Sequence, residues 1–226
     1  METKLDEIWI RNEVPGTCIG LALGRGCSAQ NAPELDASLS EAFARAQQDP
    51  PEARVKAVRE LLRHGKYKPT GRGKPASEYL SNAAKEARFP RINLLVDINN
   101  LVSLESNLPI SLIDLARAGQ GQADFGFSLR RGRPGESYVF NSAGQTIELE
   151  DLLLISKHPG DEPCANPVKD ALSTKLSDEA QDVLAVIYAP VALISVVEAA
   201  TARFGQALAE WAKARQTATA VILSGD

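Results

Sequence analysis

Two short runs of this chain carry residue types able to do chemistry. The first is "RHGKYKPTGRGK", residues 63–74, with five Lys or Arg and no acid. Arg63, Lys66, Lys68, Arg72 and Lys74 would create a local positive field. Such a field can engage phosphates even on a chain of net charge −4, although that overall charge argues against broad nucleic-acid coating. The second run is "PGDEPCANPVKDALSTK", where Asn166, Lys169, Asp170, Thr174 and Lys175 crowd between two apolar segments. A lysine there suits a carboxylate or phosphate, an aspartate suits an amino group or water, and a threonine adds a hydroxyl. Connections positioned by a rigid sheet are where binding residues concentrate, although either run would also serve as a solvated surface loop.

Other chemistries find little support. Cys18, Cys27 and Cys164 are widely spaced, no CxxC occurs, and only His64 and His158 could complete a metal site. Neither a metal centre nor a disulfide framework is expected. Cys18 reads as a small core residue and Cys164 as a loop thiol open to solvent. Gly24-Arg25-Gly26 is only part of a GxGxxG, with no βαβ unit and ribose-binding acid behind it, so no dinucleotide or other cofactor is expected.

The stretch "NLLVDINNLVSLESNLPISLIDLARAG" poses a separate question. Asp97, Asn99, Asn100 and Asp114 interrupt runs of Leu, Val and Ile suited to burial. A buried polar group without a partner costs roughly 1–3 kcal/mol. The expectation is that the aspartates tie backbone together; a carboxylate facing a cleft without donors would instead have a raised pKa and could act as a base.

The elements that would position these residues follow from periodicity. "IWIRNEVPGTCIGLALGRG" reads as two strands about a Pro-Gly turn. "APELDASLSEAFARAQ", "EARVKAVRELLRH" and "ASEYLSNAAKEAR" read as helices, and a further helix is expected over 99–106 with an Asn near its start. Beyond Gly119 the period becomes two: "DFGFSLRR", "ESYVFNS", "QTIELEDLLLIS" and "DVLAVIYAP" read as strands. "ALISVVEAATARFGQALAEWAKAR" is a long amphipathic helix and "TATAVILSG" a closing strand. The fold class is therefore α+β, with a central, mostly antiparallel sheet and flanking helices. One domain, 1–226, is expected: a core at 65–190, N-terminal strand and helix elements at 1–64, and a helix and strand at 191–226 packed on it. The apolar fraction is 44% and no run approaches the roughly 18 apolar residues of a membrane span. The acids in "METKLDEIW" are unlike a signal peptide, and a cytoplasmic location is expected.

"LLVDINNLVSLESNLPISLIDLA", with Val96-Asp97-Ile98, Asn100, Leu104, Pro109 and Asp114, resembles the signature of the B3/B4 tRNA-editing domain of the phenylalanyl-tRNA synthetase beta subunit. "FSLRRGRPGESYVF", "QTIELEDLLLIS" and "LSDEAQDVLAVIYAP" extend the likeness, and "HGKYKPTGRGKPASEYL" resembles what freestanding members carry upstream. The resemblance implies a cleft and, in editing members, hydrolysis of mischarged aminoacyl-tRNA. An aminoacyl ester is already activated, so such a site need only hold the amino acid, orient water and stabilise an oxyanion.

Two departures stand out. Ser111 occupies the place where editing members carry histidine, and the glutamate of their later Gly-rich loop has no clear equivalent in "NPVKDALSTKLSDEAQ". Ser111, Asp170 and Thr174 become the catalytic candidates, Asn166, Lys169 and Lys175 the substrate-binding ones, and residues 63–74 the RNA-binding strip. The leading reading is a freestanding editing protein acting on aminoacyl-tRNA in trans. The alternatives are a non-catalytic module binding RNA or an amino-acid-like ligand, and an enzyme acting on a small metabolite without RNA. The partner expected is tRNA, with neither metal nor membrane, and the chain would be a monomer or a homodimer.

Overall fold

The computed structural model of the protein describes residues 2–28, 32–48 and 50–224. Its strands are mostly antiparallel and its helices flank them, an α+β fold. The strands divide between two principal sheets. One has the order β11-β3-β10-β4, where β3 is Thr17–Arg25, β4 Ile110–Asp114, β10 Val183–Pro190 and β11 Gln216–Leu223. The other runs β1-β2-β5-β8-β9: Glu2–Leu5, Ile8–Asn12, Gly126–Arg131, Leu153–His158 and Glu162–Ala165. Among the strands of the described residues, only β2 and β5 pair in parallel. A separate hairpin joins β6 (Ser137–Val139) to β7 (Thr146–Glu148).

Alternation along the strands builds three layers. On β10, Val183, Ala185, Ile187 and Ala189 face the helices, while Leu184, Val186 and Tyr188 join β5 and β8 side chains between the sheets. Strand β3 does the same with Cys18 and Ala22 on one side and Ile19, Leu21 and Leu23 on the other. A strand buried on both faces needs apolar residues at nearly every position, and β3 is buried at all but its last.

The helix side is laid down by α1 (Pro33–Ala46), α2 (Glu52–Leu62), α3 (Ala76–Lys85), α4 (Leu94–Ser106) and α6 (Ile194–Glu210), with α5 a single turn, Leu115–Ala118. Residues 191–210 are apolar and long enough to cross a membrane by length and composition. Here the apolar side of α6, carrying Val197, Ala200, Phe204 and Leu208, is buried within the chain's own core.

Helix α4 starts earlier than its periodicity suggests. Asn93 caps it by accepting from the Val96 N–H at 3.0 Å, so Asp97, Asn99 and Asn100 all lie inside it. Asp97 accepts from the Ile92 N–H (3.0 Å) and from Arg91 Nε (2.7 Å), pinning the chain's entry into the helix. Asp114 caps α5 through the Arg117 N–H and also holds the N–H and hydroxyl of Ser177. Both aspartates are thus backbone ties. "QTIELEDLLLIS" breaks into β7 and β8 where Asp151 takes a left-handed conformation, φ +65°.

Helix α6 packs tightly on β3 at Gly20. A Cβ there would lie 2.0 Å from Thr201 Oγ1 and 2.9 Å from Val197 Cγ1. Gly20→Ala is expected to destabilise the protein by about 1–3 kcal/mol through overpacking, measured by urea denaturation; an unchanged midpoint would contradict this packing.

Candidate functional site

Loop 63–73 and the β6–β7 hairpin face each other across a cleft of about 720 Å³. Lys66, Lys68, Arg72 and Lys169 bring positive charge to it, Glu148 and Glu150 negative charge, and Tyr67, Phe140 and Ile147 apolar surface. The loop is held by Asp151, whose carboxylate accepts from the Lys66 N–H at 2.7 Å, and by Tyr67, whose hydroxyl donates to the Gly73 carbonyl at 2.7 Å. At Gly65 (φ +47°) a Cβ would meet that same carboxylate at 2.0 Å, so only glycine lets the loop close on it.

The basic strip is not uniform. Arg63 pairs with Glu60 and Lys66 with Glu150, while Lys68 donates to the Gly65 carbonyl. Arg72 and Lys74 are exposed and have no acidic partner among the described residues. Arg63 and Lys74 do not line the cleft.

Ser111 and the five candidates of the second run are brought together in space, but of these six only Lys169 lines the cleft. Ser111 is wholly buried on β4; its hydroxyl accepts from the Tyr188 hydroxyl (2.8 Å) and donates to Asp170 Oδ1 (2.6 Å). Asp170 also accepts from the N–H groups of Asn166 and Leu112. Asn166 turns its Oδ1 onto the N–H groups of Val168 and Lys169, each at 2.8 Å. Thr174 donates to the Cys164 carbonyl at 2.8 Å, and Lys175 Nζ donates to the Phe140 carbonyl. Cys164, expected in an open loop, lies fully buried on β9, where burial pushes its thiol pKa up.

Electrostatics separates Asp170 from Lys169. Asp170 keeps some exposed area, yet its carboxyl group is densely surrounded by protein. Burial raises its pKa to about 6, against the opposing hydrogen bonds from Ser111, Asn166 and Leu112 and the Lys175 charge. Lys169 has its pKa lowered by burial first, then by the like charges of Arg72 and Lys175. Its ammonium sits 4.0 Å from the centroid of the Phe140 ring.

Sequence reasoning missed two tyrosines. Tyr188 is fully buried on β10, and Tyr138 on β6 donates to the Lys169 carbonyl at 2.6 Å while accepting from the Asn166 amide. Burial raises both phenol pKa values well above the ordinary value, with Asp170 adding to the effect. Each is a lone aromatic in its strand, and nothing in its local pattern points to the other.

The arginines on and just after β5 are committed to pairing within the fold. Arg130 is buried and forks onto Glu136 (2.8 and 2.9 Å), while its Nε donates to Asp161 at 2.9 Å. Burial alone would raise the Asp161 carboxyl, but hydrogen bonds from Ser156, Arg130 and Arg133 bring it down to about 2. Arg131 donates to the carbonyls of Leu61 and Asp151. These cations hold turns and backbone in place.

A family model described as the B3/4 domain matches residues 68–221. The chain belongs to the B3/4 domain family. This places it among tRNA-synthetase-related domains. The B3/4 match reaches past the 65–190 core through α6 and most of β11. No curated protein matches the chain.

The pH dependence of stability follows from Asp170. Its folded pKa exceeds the usual carboxylate value, so the native state binds the extra proton between about pH 4 and pH 6. This group's contribution is therefore most favourable below about pH 4 and is lost as pH rises through about 6. Asp170→Asn should remove that downward component, making the slope of unfolding free energy against pH more positive across the window. Equal slopes for the two proteins would count against it.

Proposed function

We propose that this domain is an RNA-binding module that takes the aminoacyl end of a tRNA into the cleft between residues 63–73 and the β6–β7 hairpin. One contrast supports this reading. Arg72 and Lys169 present cations to the cleft without an acidic partner among the described residues, whereas Ser111, Asp170 and Thr174 spend their polar atoms on one another and on backbone. Phosphates would meet the cationic rim by charge, and Phe140, Ile147 and Tyr67 offer apolar surface to a base or an amino-acid side chain. Catalysis is not needed for this role, and Ser111 has no unengaged hydroxyl to offer a reaction.

Filter binding with aminoacyl-tRNA tests it. Binding is expected at low salt and should weaken as salt rises, each phosphate contact contributing roughly 0.7 to the log–log slope for a single strand. Arg72→Glu and Lys169→Glu should each weaken binding at least about tenfold, on the scale of a like-charge juxtaposition. Absence of binding at low salt would overturn the reading.

A second reading, hydrolysis of the aminoacyl ester in trans, draws support from the raised Asp170 pKa, which lies near the range useful to a general base. It requires amino acid to leave some member of an aminoacyl-tRNA panel faster than in buffer. The rate should rise through about pH 6 and collapse in Asp170→Asn. Release at the buffer rate across the panel would remove this reading and leave the binding module.

A further inference from the structure

Lys169 sits on a loop and carries a long, rotatable side chain, yet it is held from three directions. Its N–H donates to Asn166 Oδ1 at 2.8 Å, and its carbonyl accepts from the Tyr138 hydroxyl at 2.6 Å. Asn166 donates its own amide to the same tyrosine oxygen, closing a ring of three residues. The next residue, Asp170, anchors the turn on β4 through the Ser111 hydroxyl. The Leu172 N–H donates to the Val139 carbonyl at 2.8 Å, and Lys175 Nζ reaches the Phe140 carbonyl, so turn and hairpin are stitched along one edge. Tyr138 and Phe140 are two residues apart in an extended segment: the first grips the Lys169 main chain, the second lies beneath its ammonium.

We propose that Tyr138 and Phe140 are positioning residues that hold the Lys169 ammonium at the cleft as a preformed receptor for a phosphate of the bound RNA; this inference rests on the cleft reading above. The contrast with Lys66 explains what the arrangement gains. Lys66 is paired with Glu150 at 2.8 Å, so an incoming phosphate must compete with that carboxylate. An aromatic ring attracts a cation without carrying a countercharge, so Lys169 is oriented while its charge stays uncompensated. A side chain already fixed loses less rotamer freedom when the ligand arrives. The like charges of Arg72 and Lys175, which together with burial lower the Lys169 pKa, add a tension that an anion would relieve.

A double-mutant cycle on aminoacyl-tRNA affinity tests the proposal, because a merely structural role would not depend on Lys169. Tyr138→Phe should weaken binding roughly two- to tenfold, the scale of one lost hydrogen bond, and have little further effect in a Lys169→Ala background. Phe140→Leu should behave in the same way; it leaves every backbone bond in place and carries the cycle alone if Tyr138→Phe does not fold. If Lys169→Ala weakens binding but neither positioning variant couples to it, the inference is overturned while the cleft reading stands. If Lys169→Ala leaves affinity unchanged, the cleft reading fails and takes the inference with it.

Discussion

The molecule depends on how closely α6 can approach β3. The helix-facing positions of that strand are Cys18, Gly20, Ala22 and Gly24, all small, while the positions facing the other sheet are Ile19, Leu21 and Leu23. A helix packed on small residues sits close and leaves little void, and dense packing is what converts apolar burial into one defined arrangement. Because β3 lies between β11 and β10, its position sets those of the other strands in its sheet, including β4, which carries Ser111.

From that sheet outward, polar groups become progressively less confined. Tyr188 and Ser111 are sealed between the layers; Asp170 borders them with some exposure; Lys169 reaches the cleft. The buried members satisfy one another's donors and acceptors, which lets a polar chain run through an apolar interior at little cost. The outermost member keeps its charge facing open space. A single hydrogen-bonded series thus connects the middle of the core to the rim of the cleft.

Much of the scaffold was legible in the sequence because period and composition agreed locally. Helices α1, α2, α3 and α6 and strands β3, β10 and β11 all show their own pattern. Strands β4 and β9 did not: β4 follows a helix after only a short Pro-containing link, and β9 holds an acid, a proline and a cysteine in four residues, so its pairing with β8 is a tertiary outcome. At the site, the polar crowding of 166–175 was visible, but which way each side chain turned was not. The direction of Asn166 and Thr174 depends on carbonyls and N–H groups supplied by a turn that forms only in the fold. Tyr138 and Tyr188 meet the same cluster from strands far apart in the chain, and no local window contains both. Arg130 is equally opaque, since nothing in the basic run "RRGR" shows that it is buried between two acids.

Arg130 shows what such hidden pairing means for sequence change. Its two carboxylate partners come from different turns, Glu136 just after β5 and Asp161 between β8 and β9. Replacing the arginine alone would leave two half-buried acids beside each other with Arg133 as the cation still in contact with Asp161, a worse state than losing all three. The trio therefore acts as a unit. A change at any one of the three is offset best by matching changes at the other two, so the two turns are coupled energetically although they lie far apart in the chain.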